Sequence, residues 1–258
     1  MKLMKELWNY REMIISLVKR DLKSRYKGSV LGFLWMLLNP LLQLCVYTAV
    51  FSVIMRTGIE KYYLFLFVAL VPWIFFSTCL SGGTTIIFAQ KDMVKKIYFP
   101  RQVLPIVFTT SQFINMLLSF IIIFIVVFFS GIGLHARALV YLPLVMAMEY
   151  ILALGITFLA SALTVYFRDL EHILGIVSMA WMYLTPVLYD ISSVPEKYLP
   201  VFQLNPMTPI IIAYRDILYY GRTPQLGTLQ SALLLGVLVM AVGGLTFKIL
   251  QRHFVEEL

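Results

Sequence analysis

A single carboxylate is the side chain of this sequence that stands out chemically. Glu149 is the only charged residue well inside one of the long apolar runs. A charge at membrane depth is costly, so an ionisable residue there is by default a candidate functional group. No Lys or Arg lies inside another apolar run to pair with it. Its partners would therefore be water or neutral side chains such as the amides of Asn39, Gln43, Gln112 and Asn115. We favour a protonated, hydrogen-bonded structural carboxyl over a functional one.

Sequence motifs of catalysis and metal binding are absent. There is no G-x-x-x-x-G-K-[ST] phosphate loop, no H-E-x-x-H and no G-x-S-x-G. His135, His172 and His253 fall in separate loops or ends, and Cys45 and Cys79 lie inside apolar runs. The sequence therefore predicts neither a catalytic site nor a metal site nor a disulfide framework. The chain therefore has no evident energy source of its own, so a partner must supply one or any transport through it is passive.

The composition is that of a membrane protein. Of 258 residues, 60% are hydrophobic and only 13% are charged, too few charges for the surface of a soluble domain. Several apolar runs exceed the ~20 residues that cross a ~30 Å hydrocarbon core. We predict an all-α integral membrane protein, a single domain over residues 1–258, with six transmembrane helices. They are placed near 30–55, 63–88, 103–130, 138–166, 172–189 and 228–250, with kinks at Pro40, Pro72, Pro143 and Pro186.

The distribution of basic residues predicts the orientation. Of the 21 Lys and Arg residues, 15 lie in the segments on one side of the membrane: before span one, between spans two and three, between spans four and five, and after span six. The segments on the opposite side contain the other 6. The positive-inside rule then puts both termini in the cytoplasm. The net charge of +8 is explained by topology and by attraction to anionic lipid, so nucleic acid is not expected as a partner.

Three segments outside the spans have distinctive patterns. Residues 1–27 combine helical apolar spacing with basic residues, which indicates an amphipathic helix on the membrane surface or against a partner. Residues 91–101 mix basic and aromatic side chains, as in a docking helix or a headgroup anchor. Residues 190–227 contain five prolines between short apolar stretches, which fits two short re-entrant helices or an ordinary external loop.

Four short stretches carry a family resemblance. They are RYKGSVLGFLW at 25–35 with NP at 39–40, IYFPR at 97–101 before LP at 104–105, FRDL at 167–170, and NPMT at 205–208 followed by AYRD at 213–216. In this order they resemble the permeases of type-2 ABC exporters. The nearest group in that family exports polysaccharides such as O-antigens, capsules and teichoic acids.

This resemblance implies partners and roles. Such permeases form homodimers in the bacterial plasma membrane, and each copy docks on one of two separately encoded ATPase subunits. ATP and Mg²⁺ bind there, so no cofactor is expected on this chain. Residues 1–27 would be the interface helix and gate, 91–101 the coupling helix, and 190–227 the external re-entrant segment. The residues expected to couple to the ATPase are Lys95, Lys96, Tyr98, Phe99, Arg101, Arg168 and Asp169.

The implied cargo is a glycan on an undecaprenyl-type lipid pyrophosphate. Cations just before span one would bind the pyrophosphate, or would serve topology alone: Arg20, Lys23, Arg25 and Lys27. Aromatic rings would stack on the C–H faces of sugars, or would face lipid: Trp35, Tyr47, Phe51, Phe75, Phe76, Trp181, Tyr183 and Tyr189. Tyr47 and Phe51, one helical turn apart, are the strongest pair.

Three other functions are compatible with parts of the sequence. One is an ABC-2 exporter of small drugs or lipids. Such exporters generally lack this combination of the span-one run at 25–40 and the proline-rich segment at 190–227. Another is a passive channel or scaffold, from which a stable ATPase partner would distinguish an exporter. A membrane glycosyltransferase is disfavoured, because the loops lack a carboxylate cluster for a metal and a sugar nucleotide.

Overall fold

The computed structural model describes residues 7–26, 31–54, 58–133 and 135–258. Within these ranges the chain is 83% helical and contains no strand. Its helices are α1 Arg11–Tyr26, α2 Trp35–Thr48, α3 Tyr62–Gly82, α4 Ile86–Ala89, α5 Lys91–Lys96, α6 Val103–Ser130, α7 Ala136–Leu139, α8 Leu142–Tyr166, α9 Leu170–Tyr183, α10 Leu199–Leu204, α11 Met207–Leu218, α12 Leu226–Leu250 and α13 Phe254–Glu257.

Four of the predicted spans coincide with helical segments long and apolar enough to cross a membrane. These segments are Tyr62–Ala89, Val103–Ser130, Ala136–Tyr166 and Leu226–His253. Pro72 lies inside α3, whereas Pro143 lies in the first turn of α8, where its missing N–H breaks no helical hydrogen bond. The second, third, fourth and sixth predicted spans therefore have the expected helical form.

The first and fifth predicted spans are shorter helices. A π-helical stretch, Ala49–Ile54, continues α2, and 35–54 together make about 30 Å of helix at ~1.5 Å per residue. The apolar part of this element is Leu37–Ser52. α9 has 14 residues and ends at Tyr183, short of the predicted residue 189. Pro186 explains the early end, because the residue before a proline is disfavoured in helical conformation.

The core is built around α3 and α8. α3 is apolar on all sides, and α2, α6, α8, α9 and α11 all pack against it. α8 and α12 pack along each other, with Gly155 and Gly243 at their closest approach. A Cβ atom added to Gly155 would lie 2.6 Å from the backbone of Met240. Small residues at such crossings let membrane helices approach closely.

The loops with most of the basic residues meet at one end of the bundle. A separate apolar cluster there joins Val18 of α1, Val94 of α5, Phe99, Val165 of α8 and Phe254 of α13. We call this the basic end. The opposite end, called here the far end, contains α7, α10, α11 and the turns around 184–198. α1 packs on α6 of the same chain, so its apolar face is covered without a partner protein.

Candidate functional site

The segment expected to contact an ATPase presents one aromatic ring outward. Tyr98 is 91% exposed, whereas Phe99 is 7% exposed and packs in the apolar cluster of the basic end. The expectation that both rings are presented is therefore wrong for Phe99. Ile97, which follows α5, has extended backbone angles and is exposed as well. Lys95 and Lys96 are exposed in the last turn of α5.

Two arginines tie this segment to its neighbours. Arg101 donates through Nη1 to the backbone carbonyl of Gln251, which fastens the segment to the end of α12. The guanidinium of Arg168 lies 5.1 Å from the centre of the Phe88 ring, just before α5. Arg168 and Asp169 are both exposed. We define the coupling surface as Lys95, Lys96, Tyr98, Arg168 and Asp169, and we regard Arg101 as a support for it.

One of the predicted gate cations contacts the residue that precedes the predicted coupling helix. Arg20 Nη2 lies 3.3 Å from Gln90 Oε1, and Gln90 immediately precedes α5. Both residues line a cavity of about 220 Å³ between α1, α4 and α6. Asp21 lines the same cavity, so it is not a purely cationic site for phosphate. Lys23 is exposed, while the Arg25 side chain and Lys27 lie outside the described part of the chain.

The predicted channel aromatics divide into buried and accessible rings. Phe76 is fully buried and packs on Trp73 and Trp181, and Phe75 is buried against Phe113. The prediction that Phe75 and Phe76 face an open pathway is therefore wrong for the chain as it folds. Their helix is central in the bundle, so rings on every side of it find neighbours within the same chain.

The other predicted rings lie along the 35–54 helix, α9 and the turn after α9. Tyr47 Oη is 3.9 Å from the sulfur of Met182, which joins these two helices, and Phe51 stacks on Tyr62 at a ring separation of 6.2 Å. These and the remaining rings are half-buried or exposed: Trp35, Tyr47, Phe51, Trp181, Tyr183 and Tyr189. The accessible rings therefore concentrate on the first and fifth predicted spans.

α2 also has two exposed amides in its apolar stretch. Asn39 and Gln43 are four residues apart, so they lie on one face of the helix, and both are exposed. Exposed polar side chains at membrane depth normally face protein or a water-filled cavity rather than lipid. This face of α2 is therefore the best candidate in the described chain for the wall of a hydrated pathway.

Glu149 has a partner that sequence reasoning did not find. Tyr214 of α11 donates a 2.6 Å hydrogen bond to Glu149 Oε2, and both side chains are fully buried. The expected partners among the amides of α2 and α6 were wrong. The sequence did not indicate Tyr214 as the partner, because 190–227 was interpreted as two re-entrant helices or an external loop, although the AYRD stretch at 213–216 includes it.

Arg215, the next residue, is a buried cation held by the backbone. It donates to the carbonyls of Pro186 at 2.6 Å, Val187 at 2.7 Å, Tyr189 at 3.0 Å and Phe65 at 3.4 Å. Its guanidinium carbon also lies 3.5 Å from the centre of the Phe65 ring. Arg215 therefore fastens the turn after α9 to α3.

Asn205 links the same turn to the start of α11. Its Nδ2 donates to the Leu184 carbonyl at 2.9 Å and to Thr185 Oγ1 at 2.8 Å, while Oδ1 accepts from Trp181 Nε1 and from the Met207 amide, each at 3.0 Å. The NPMT and AYRD stretches thus place α11 against α3 and against the turn after α9. Trp181 is consequently a structural anchor as well as a half-buried ring.

The far end also has a surface network of charged groups. Arg222 binds the buried Asp216 at 2.7 Å, and Tyr220 donates to Asp190 Oδ2 at 3.1 Å. Partial burial raises the pKa of Asp190, but hydrogen bonds from Ser192 and Tyr220 outweigh it and hold that pKa below its ordinary value. Burial and the neighbouring Asp190 raise the pKa of Tyr220 to about 12, so its hydroxyl stays a donor. Among the described residues, no three His, Cys, Asp or Glu side chains are grouped to hold a metal ion.

Comparisons with known proteins agree with this arrangement. Residues 12–219 match the ABC-2 type transporter family. The chain is 35% identical over 259 residues to the O-antigen export system permease protein RfbA of Myxococcus xanthus, covering 100% of this chain and 99% of the relative. It is 30% identical over 247 residues to the protein of that name from Klebsiella pneumoniae, covering 96% and 95%.

A more distant relative is also named as a transport protein. The polysialic acid transport protein KpsM of Escherichia coli is 20% identical over 210 residues, covering 80% of this chain and 81% of that protein. The family match covers most of the chain, including α2, the coupling surface and α11. From the fold, the positions of the motif residues and these matches, we conclude that the chain is a membrane permease of the ABC-2 type transporter family.

Proposed function

We propose that this permease exports a lipid-linked polysaccharide of the O-antigen type through a pathway enclosed by two copies of the chain. The observation that carries the proposal is the exposed amide face of α2, Asn39 and Gln43, next to the accessible rings Tyr47 and Phe51. Amides supply hydrogen bonds to hydroxyl groups, and aromatic faces pack on the C–H faces of sugar rings. The names of the relatives support this class of cargo.

The membrane arrangement follows from charge and helix length. The basic end faces the cytoplasm, as the excess of Lys and Arg there favours, and the chain lies in the bacterial inner membrane. The 35–54 helix and α9 complete the six spans. Because α9 is short, either the bilayer thins around it or the 184–190 turn extends it to the membrane surface. Buried α11, with α10 beside it, forms the re-entrant segment on the external side.

Energy comes from an ABC ATPase that docks on the coupling surface. Tyr98 is suited to a groove on that partner, because its ring is 91% exposed and tyrosine is enriched at interface hot spots. The 3.3 Å contact between Arg20 of α1 and Gln90, the residue before α5, then links α1 to the docking segment, residues 91–101. Movement of the docking segment would thereby reposition the cations near the start of α2, where the lipid pyrophosphate enters.

Deletion and complementation test the proposal. Removal of the gene is expected to abolish surface polysaccharide and to leave lipid-linked glycan inside the cell. The wild-type chain should restore export, and a variant with both amides replaced, Asn39→Leu with Gln43→Leu, should restore membrane insertion but not export. Normal surface polysaccharide in the deletion strain would refute the proposed cargo.

A further inference from the structure

A cavity at the basic end lies where α1 passes the ends of two of the long apolar segments. It measures about 220 Å³, and Arg20 and Gln90 are among its lining residues. The segments Tyr62–Ala89 and Val103–Ser130 have 28 residues each, or about 42 Å of helix at ~1.5 Å per residue. A bilayer with its headgroups is about 40–45 Å thick, so the ends of both segments lie among headgroups. The cavity is therefore at headgroup depth rather than in the hydrocarbon core.

Two of the lining side chains are suited to a phosphate group. Arg20 Nη2 donates to Gln90 Oε1 at 3.3 Å. A guanidinium has further N–H groups to donate, and the amide nitrogen of Gln90 can only donate. A lipid phosphate is negatively charged and its oxygens accept, so it complements both side chains.

Other lining groups offer a ligand only acceptors. Ser24 Oγ donates its hydrogen to the Asp21 carbonyl at 3.0 Å. Thr85 Oγ1, just before α4, likewise donates to the Gly82 carbonyl at 3.2 Å. A hydroxyl group has a single hydrogen, so each of these oxygens has only lone pairs left for a ligand. The carboxylate of Asp21 adds a negative charge to the lining. This set of acceptors complements a cation with several N–H groups, such as a primary ammonium.

The contribution of α6 to the lining suits the rest of a lipid. The α6 side chains there are Leu104, Val107 and Phe108, and all three are apolar. Arg20 and Thr85 are exposed, so the cavity can be reached from the surface of the described chain. Drug-sized ligands occupy about 300–1,000 Å³, so this smaller cavity has room for a headgroup, with the acyl chains outside it along α6.

We propose that this cavity binds the headgroup of a phospholipid with a primary ammonium, of the phosphatidylethanolamine class. The phosphate binds Arg20 and Gln90, and the ammonium binds Asp21, Ser24 and Thr85. A choline headgroup has no N–H to donate, and a lipid pyrophosphate has no cationic group for the carboxylate. The ligand is a resident lipid of the membrane, so the inference does not depend on the exported cargo. The bound lipid links α1 to α4 and thereby stabilises the position of α1.

A series of short-chain lipids tests the headgroup chemistry. Dihexanoyl-phosphatidylethanolamine, its N,N-dimethyl derivative and dihexanoyl-phosphatidylcholine are titrated into the complete transporter in a mild detergent, and native mass spectrometry counts the bound lipids. Methylation removes N–H donors and keeps the positive charge. We expect one phosphatidylethanolamine per permease chain, an affinity about tenfold lower for phosphatidylcholine, and an intermediate value for the dimethyl lipid. Equal affinities for the three lipids would overturn the proposal.

Conservative variants test whether these residues form the site. Asp21→Asn and Thr85→Val keep side-chain shape and each remove one partner of the ammonium, so each should reduce the preference for ethanolamine over choline to about threefold or less. Arg20→Gln should weaken both lipids alike, because both have the phosphate. The controls are Glu12→Gln and Lys19→Gln, at exposed positions of α1 that do not line the cavity. An undiminished preference in both Asp21→Asn and Thr85→Val would contradict the assignment.

Two other ligands separate the lipid from its alternatives. Soluble O-phosphoethanolamine has the same charged groups without glycerol or acyl chains, and we expect it not to compete at the concentration where the short-chain lipid saturates. Equal competition would mean that the site binds a free phosphate ester, and the lipid would be the wrong ligand. Dihexanoyl-phosphatidylglycerol has the phosphate without the ammonium and should bind more weakly than phosphatidylethanolamine. Tighter binding of phosphatidylglycerol would mean that only the cation matters, which would also overturn the proposal.

Discussion

Tyr214 of α11 and Glu149 of α8 share a 2.6 Å hydrogen bond between two fully buried side chains. Water does not compete with this bond, and a buried polar group that loses its partner is costly. The contact therefore fixes α11, a helix too short to span, to one of the long helices of the bundle. Glu149 has a structural task that an amide could also perform.

Glu149→Gln should preserve folding and export, because a Gln side chain can still accept a hydrogen bond from Tyr214. Glu149→Leu leaves the Tyr214 hydroxyl unsatisfied and should lower the free energy of unfolding by about 1–3 kcal/mol. Thermal unfolding in detergent and the amount of surface polysaccharide measure the two effects. A Glu149→Gln protein that folds but does not export would instead indicate that the carboxyl group functions in transport.

Arg215→Leu should destabilise the far end strongly. Four backbone carbonyls lose their donor, and buried acceptors without partners cost about 1–3 kcal/mol each, so we expect a loss of about 4 kcal/mol or more. The measurements are yield and unfolding temperature of the purified permease. Arg137→Leu, an exposed arginine at the same end, is the control. Equal stability of the two variants would show that the carbonyl contacts contribute little.

Gly155→Ala should weaken the packing of α8 on α12. The added methyl group would lie 2.6 Å from the Met240 backbone, and relief of such an overlap costs about 1–3 kcal/mol. Gly244→Ala is a matched control in α12, because nothing lies within 4 Å of the added atom. Unfolding temperatures compare the two. An unchanged value for Gly155→Ala would mean that the helices separate easily at this crossing.

Tyr98→Ala should weaken ATPase binding without unfolding the permease. The side chain is almost fully exposed, so its removal leaves no cavity, while the loss of a hot-spot aromatic costs about 2 kcal/mol, or roughly thirtyfold in affinity. The test is the amount of ATPase retained on affinity-purified permease. Tyr198→Ala, an exposed tyrosine at the far end, serves as the control. Equal retention in both variants would remove Tyr98 from the docking interface.

Apolar run lengths were sufficient to predict the long helices, but they did not predict where α9 ends. The second, third, fourth and sixth spans depend mainly on hydrophobicity, which is local to the sequence. The end of α9 depends on Pro186 and on contacts from Asn205 and Arg215, which come from a later part of the chain. The ends of short helices therefore depend on contacts with residues that are far away in the sequence.

The candidate site shows the same division. The basic and aromatic pattern of 91–101 did not reveal that Phe99 is buried while Tyr98 is exposed, because Phe99 packs against residues from distant parts of the chain, such as Val18 and Phe254. The partner of Glu149 was missed because α11 has too few apolar residues to resemble a span, yet is buried by neighbouring helices. The burial of Phe75 and Phe76 likewise depends on the central position of α3, which is a property of the assembled bundle.

Affinity purification of the permease in a gentle detergent, followed by measurement of the intact mass and of ATP hydrolysis, tests the central claim most directly. We predict a complex of two permease chains and two ATPase subunits that hydrolyses ATP and retains a lipid-linked glycan. A permease that purifies without any ATPase would contradict the claim, and the chain would then be a passive channel or a scaffold.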